Sequence, residues 1–303
     1  MLKRLVGVLP VVFGVLLLTF LLIHLVPGDP VEVMLGESAA AADRAQLRAD
    51  LGLDRPLPVQ FADYLVRLAH GDFGRSIHSR DEISSLLAER LPATAKLAIS
   101  ALLVALCIGL PLGIAAALNH RGWPDRVATL TSLTLSAMPH FWLGPLLMLV
   151  FALWLGWLPV SGMEGWTSIV LPSLTLGSGL AAILTRMTRA SLLEVLHEDY
   201  VRTARAKGLP ERTVILRHAL RAALLPVVTV VGLQLGFLLT GAVITETVFG
   251  WEGVGRLLVE SIQKRDYPVS QACVLVIALI YVVVNLLTDL AYARLDPRVR
   301  FRE

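Results

Sequence analysis

Chemistry needs polar side chains in convergent sets, and this 303-residue chain has few of them. There is no G-x-x-x-x-G-K-[ST] run, so no loop of that kind cradles ATP. There is no H-E-x-x-H pair and no Cys/His cluster with metal spacing, so metal-assisted hydrolysis lacks its ligands. Gly177-Ser178-Gly179 sets a serine between glycines inside an apolar run and suggests a nucleophile. Small residues so placed also let two helices approach closely, and that reading is preferred. His24, at the outer end of the first apolar run, is read as packing in the same way. Gln234, Glu246, Asn285 and Asp289 are the polar residues of the later apolar runs. An ionisable group at membrane depth is a functional candidate. Glu246 and Asp289 are expected near run ends, within reach of water. No chain of buried acids suggests a proton relay, which disfavours a self-powered secondary transporter.

The residues that do converge lie in a basic insert, Asp199–Arg221, between two long apolar segments. Tyr200 to Lys207 is helix-forming, Gly208-Leu209-Pro210 breaks the pattern, and Pro210 suits the first turn of a second helix. Glu211 follows, favourable near a helix N-terminus. Val214, Ile215 and Leu216 add an apolar cluster. A solvated basic loop needs neither the bend nor the cluster, whereas a helix seated in a partner's groove uses both.

The elements that position this insert are membrane spans. The chain is 55% hydrophobic and 17% charged, with mean hydropathy +0.69. A soluble domain carries nearer a quarter charged residues. The net charge of +3 and pI near 9.1 fit the basic bias that orients membrane helices, not nucleic-acid binding. Cys107 and Cys273 lie in apolar runs and read as small buried hydrophobes. Leu5–Val26, roughly 33 Å as a helix, is long enough to span and reads as a retained first helix. The small-residue patch at Ala39–Ala42 is too far beyond it for a signal cleavage site. Five further spans are expected at Thr94–Leu118, Val127–Leu155, Ile169–Thr188, Leu220–Val248 and Val269–Tyr292. The third is long enough to tilt or kink. Lys3 and Arg4, Arg121 and Arg126, the insert and the tail arginines 294, 298, 300 and 302 all fall on one side. The positive-inside rule makes that side, and both termini, cytoplasmic.

Four regions follow: residues 1–26 as the first span, 27–92 as an outer cap, 93–293 as a five-span core with the insert 199–221, and 294–303 as a tail. The first connection carries eleven acidic and seven basic residues. Short amphipathic helices are expected there at Ala45–Leu51, Val59–His70 and Asp81–Arg90. Such a cap either packs on the bundle as a lid or docks a partner. In the second case its acidic balance, with Asp43, Asp50 and Asp54 foremost, favours a partner with basic patches.

The run Glu198-Asp-Tyr-Val-Arg-Thr-Ala-Arg-Ala-Lys-Gly-Leu209 resembles the EAA loop of ATP-binding-cassette importer permeases, in the form of the dipeptide, oligopeptide, glutathione and nickel group. So do Pro27-Gly-Asp-Pro30, Leu51-Gly-Leu-Asp-Arg-Pro56, Gly71-Asp-Phe-Gly-Arg-Ser76, Leu91-Pro-Ala-Thr94, Thr245-Glu-Thr-Val-Phe249, Gly253-Val-Gly-Arg256 and Arg265-Asp-Tyr-Pro268. The loop departs from the general pattern at Arg202, Thr203 and Arg221, but Arg-Thr-Ala is usual in this group. The resemblance implies an all-α integral membrane protein with the six-helix type I permease fold and a small helical outer cap. It implies no catalytic residue, metal or cofactor in this chain, with ATP and Mg bound by partner ATPases. The implied partners are a second homologous permease, two cytoplasmic ATPases and an extracytoplasmic binding protein, at a bacterial inner membrane. The contact with the ATPases would fall on Arg202, Thr203, Ala204, Arg205, Lys207, Gly208, Leu209, Pro210 and Glu211. Small peptides are the expected cargo, with nickel or metal-chelate import as the alternative. A stand-alone channel or secondary transporter and a membrane-embedded enzyme are the remoter readings.

Overall fold

The computed structural model describes residues 2–25, 29–35, 40–50 and 52–295. The basic tail beyond 295, the end of the first span at Val26 and the start of the small-residue patch at Ala39 lie outside the described residues. The regular structure among the described residues is helical, apart from one isolated bridge between Arg75 and Glu82. Among the described residues five helices are long and apolar enough to cross a membrane, or six spans if a bent pair is counted as one. The chain forms two compact units.

The first unit combines residues up to Thr94 with Glu252–Val282. Helix α1 (Leu2–Leu25) is followed by α2 (Pro30–Leu35), α3 (Ala41–Asp50) and α4 (Leu57–Ala69). The expected cap helices at Ala45 and Val59 are therefore present, each starting a few residues early, and α2 is additional. Aromatic contacts seat α4 on α1: Phe61 lies against Phe13 and Phe20, and the Tyr64 hydroxyl meets Thr19 Oγ1 at 3.2 Å. Burial raises the Tyr64 pKa above its ordinary value, against a smaller lowering by that hydrogen bond. His24 Nε2 bonds Gln60 Oε1 at 3.0 Å, which is the packing role expected of this histidine. The expected cap helix at Asp81–Arg90 is not separate. Residues from Ile83 belong to α5 (Ile83–Leu118), which runs unbroken through Pro92. Ile83 and Leu87 reach a core made with Val254 of α12 (Val254–Gln263) and with Val269 and Cys273 of α13 (Tyr267–Leu295). Asp266, at the corner between α12 and α13, clasps the loop after α4 by accepting from Ser76 Oγ at 2.6 Å and from the Ile77 amide at 3.2 Å.

The second unit spans Ala95–Trp251 and the chain from Val283. Its centre is α8 (Val170–Leu196), in the one candidate span that is mostly buried, 61% against 17–28% for the other continuous ones. Glycines explain that position. A Cβ on Gly177 would stand 2.5 Å from the Ala101 carbonyl oxygen, and one on Gly113 2.7 Å from that of Thr185. The backbones of α5 and α8 therefore nearly touch, as small residues permit. Ser178 Oγ donates to the Thr175 carbonyl at 2.8 Å, a bond within its own helix.

The third expected span is not one straight helix. α6 (Trp123–Ala137) and the segment of α7 (His140–Leu147) with its π-helical continuation Met148–Trp154 meet at a bend of 115°. Pro139 lacks an N–H and disfavours the α region at the preceding residue, and Met138 is extended at φ −79°, ψ 126°. Two further expectations fail. Glu246, in α11 (Leu220–Phe249), is fully buried, not open to water at a helix end. The chain folds back after Gly250, and Trp251, 1% exposed, donates its amide to the Glu246 carbonyl at 2.8 Å. Cys107 is exposed on α5, while Cys273 is buried, and neither is in a disulfide among the described residues. A lipid-facing side is as apolar as a core, so hydropathy alone cannot tell the two apart.

Candidate functional site

The basic insert leaves α8 through His197 and Glu198 and enters α9 (Asp199–Ala206). Glu198 takes the N-cap position in extended conformation, and Asp199 puts an acid in the first turn. Thr203 Oγ1 donates back to the Asp199 carbonyl at 2.9 Å. The helix stops where Gly208 adopts φ +76°, a left-handed conformation natural to glycine at a helix C-terminus. Pro210 then caps the next helix, extended at φ −62°, ψ 141°, and Glu211 opens it. This second helix is not the short separate one expected. Helix α10 (Glu211–Thr213) passes through a π-helical turn, Val214–Ala219, straight into α11. A rigid span therefore begins directly at the bend.

The nine residues expected to meet a partner divide by burial. Ala204 is 6% exposed and, with Val201 at 0%, belongs to a core made with Ala117, Leu192, Val214, Ala219 and Ala223. α9 is thereby tied to the ends of α5, α8 and α11 within one unit. Arg202, Thr203, Arg205, Lys207, Gly208, Leu209, Pro210 and Glu211 are exposed. The apolar cluster after the bend also splits: Val214 is buried in that core, Ile215 is half-buried, and Leu216 is exposed. Only Leu209, Leu216 and Tyr200 remain as large exposed apolar or aromatic groups of the insert. A 3.6-residue period marks these positions as one amphipathic set, but which side faces the bundle depends on the neighbouring span ends.

One ion pair bridges the bend. Arg205 Nη2 donates to Glu211 Oε1 at 2.8 Å, and its Nε lies 3.2 Å from Oε2. The carboxylate raises the Arg205 pKa further above its ordinary value. Both groups face water, so the pair adds little stability, but its forked geometry fixes the turn's shape. Behind the insert, Asp125 of α6 is buried and accepts from Arg189 Nη2 at 2.9 Å and from the Arg121 amide at 2.9 Å. Arg186 donates through Nη1 to the Ser132 carbonyl and to Ser136 Oγ, at 3.2 and 2.7 Å. Through these bonds Arg186 and Arg189 fasten α6 to α8.

The acids expected to dock a partner, Asp43, Asp50 and Asp54, are all exposed. Asp43 and Asp50 lie seven residues apart on α3, hence on one face. Asp54 follows the turn at Gly52. None of the three makes an ion pair among the described residues, whereas Asp29, Glu32 and Asp63 pair with Arg48, Arg44 and Arg55. No group of His, Cys, Asp and Glu among the described residues is arranged to hold a metal.

Comparison with known proteins fits this arrangement. Residues 109–301 match the family described as binding-protein-dependent transport system inner membrane component, and residues 1–98 match its N-terminal companion family. The glutathione transport system permease protein GsiC of Salmonella choleraesuis (strain SC-B67) is 48% identical over 301 residues, covering 99% of this chain and 98% of that protein. The GsiC proteins of Pectobacterium atrosepticum and Escherichia coli (strain K12) are 47% and 46% identical over 300 residues, with the same coverage. Among solved structures, an inward-facing form of the MetNI methionine ABC transporter superposes with a TM-score of 0.60 at 16% identity, covering 70% of this chain and 96% of that one. An amino acid ABC transporter gives 0.52 at 17% identity, covering 70% and 94%. At such identity these two structures speak for the fold alone.

Proposed function

We propose a transport role from one premise: this chain belongs to the family of binding-protein-dependent transport system inner membrane components, as an ABC importer permease. In our reading it carries a small peptide inward, and glutathione is the favoured cargo within that class. The observation that carries this reading is the similarity to glutathione permeases along 99% of the chain. In the working importer it pairs with a second, homologous permease. Two ATPases that bind ATP and Mg sit on the cytoplasmic side, and a binding protein delivers substrate from outside. Both termini lie in the cytoplasm. Residues 27–92 form the outer cap, 93–293 the core and 294–303 the tail.

The geometry supports this division of labour. The chain carries no ATP-cradling loop, so energy has to enter through contact. The exposed turn around Gly208 is the surface for that contact, and the core beneath it is the transmitter. A push on α9 acts through Val201 and Ala204 on the ends of α5 and α8, and through the π-helical turn on α11. Such a push biases the bundle between outward-open and inward-open states, a ligand-driven shift between two conformations.

The test is reconstitution of the chain with its partner permease, ATPases and binding protein in proteoliposomes. Radiolabelled glutathione should accumulate only with ATP and binding protein together, and binding protein should stimulate ATP hydrolysis. Stimulated hydrolysis without glutathione uptake would retire the cargo; the absence of both would retire the whole proposal.

A further inference from the structure

Two arginines stand one turn apart on α8 and are treated differently. Arg189 is neutralised by the buried Asp125, with a bond of 2.9 Å from Nη2. Arg186 has no carboxylate partner among the described residues. Its bonds go from Nη1 alone, to the Ser132 carbonyl and to Ser136 Oγ. The latter two neutral oxygens hold the guanidinium in place without cancelling its charge. By helical rise Arg186 lies about 15 Å before the end of α8, within the candidate span Thr167–Leu196. An unpaired cation at such a place is costly, and in membrane proteins it marks a path or a counter-ion site.

The space it faces supports the second reading. Arg186 lines a concavity of about 230 Å³ bounded by Ser136, Leu180, Ile183, Gln234 and Phe237. The site thus combines an apolar wall, one positive charge and one neutral amide, the combination expected of a small-ligand site. Gln234 lines the same concavity and carries amide N–H donors, and a carboxylate can accept from an amide as well as from a guanidinium. The volume suits one end of a peptide-sized molecule, because whole drug-sized ligands occupy sites of roughly 300 Å³ and upward. The concavity also borders the 115° bend of α6 and α7, through Met138, so its shape depends on that bend.

We propose that Arg186 and Gln234 form a carboxylate-binding subsite on the permease itself, which takes the anionic end of the cargo during passage. This rests on the reading of the chain as a small-peptide importer. Selection would then occur in the membrane as well as in the binding protein.

The experiment compares glutathione with its dimethyl ester, and Ala-Ala with Ala-Ala-amide, in the reconstituted importer. The wild-type assembly is expected to favour the carboxylate form of each pair. Arg186→Gln should lower that preference at least tenfold, and Arg186→Lys should keep it within about threefold. A loss of uptake that falls equally on acid and neutral forms, or an unchanged preference in R186Q, overturns the subsite. If the wild-type assembly carries neither pair, the cargo reading fails on its own. The subsite is then decided by heat denaturation of the purified permease pair, without transport. Ala-Ala should raise the midpoint more than Ala-Ala-amide in wild type, and this difference should vanish in R186Q; no difference in wild type overturns it.

Discussion

At the scale of single residues the sharpest position is Gly208. Its φ of +76° lies in the left-handed region, and an added Cβ would have no heavy atom within 4 Å. A substitution there therefore meets no clash, and its cost is conformational, about 1–2 kcal/mol for an ordinary side chain. Asparagine tolerates this region far better than a β-branched residue. Gly208→Val is expected to cut ATP-dependent uptake at least tenfold with normal amounts of permease in the membrane, and Gly208→Asn to keep most of it. Quantitative blotting alongside the uptake assay reads both. Equal losses in the two variants would mean that the partner excludes any side chain at this point and that the backbone turn is not what matters. The large, exposed Gly208→Trp is expected to uncouple uptake from hydrolysis more completely than either.

At the scale of elements, the glycine seam between α5 and α8 makes a contrasting prediction. A methyl group on Gly177 would stand 2.5 Å from the Ala101 carbonyl oxygen, so the helices have to separate to admit it. Overpacking of this kind costs about 1–3 kcal/mol. Gly177→Ala should lower the thermal midpoint of the purified permease. Its neighbour Ser178→Ala should leave both midpoint and uptake nearly unchanged, since that hydroxyl only bonds its own helix. A large loss of uptake in S178A with a normal midpoint would restore the serine as a chemical residue. The same elements show what the sequence reveals. Long spans are legible because twenty apolar residues leave few alternatives. The amphipathic α12 was also within reach, since Val254, Leu257, Leu258 and Ile262 recur at helical spacing, but its short run was hidden behind motif glycines. The merging of Asp81–Arg90 into α5 was not legible, because Pro92 reads as a stop wherever neighbouring helices do not support it. For the insert, the bend at Gly208–Pro210 could be placed to the residue. The buried side of α9 could not, since Val201 and Ala204 face a core assembled from three other helices.

At the scale of the whole molecule, the proposed importer needs one surface that receives force and one that receives a partner from outside. The acidic cap belongs to the second. Asp43, Asp50 and Asp54 stay unpaired among the described residues while neighbouring acids are taken by Arg44, Arg48 and Arg55. Unpaired exposed carboxylates contribute little to folding, and several of one sign on one side steer an approaching partner of opposite charge. Replacing all three by lysine should therefore leave the folding stability within about 1 kcal/mol of wild type. The association rate with the binding protein should fall about tenfold at low ionic strength, since rim charges act mainly on the encounter. Salt reports the sign of the interaction. Attraction in wild type weakens as salt screens it, whereas the lysine variant, now repelled by a basic patch, should gain affinity as salt rises. Surface plasmon resonance with the permease complex held in nanodiscs, between low and high salt, measures both slopes. Parallel slopes with equal affinities would leave the cap as a lid packed on α1 and α13, and would move the docking surface elsewhere on the outer face.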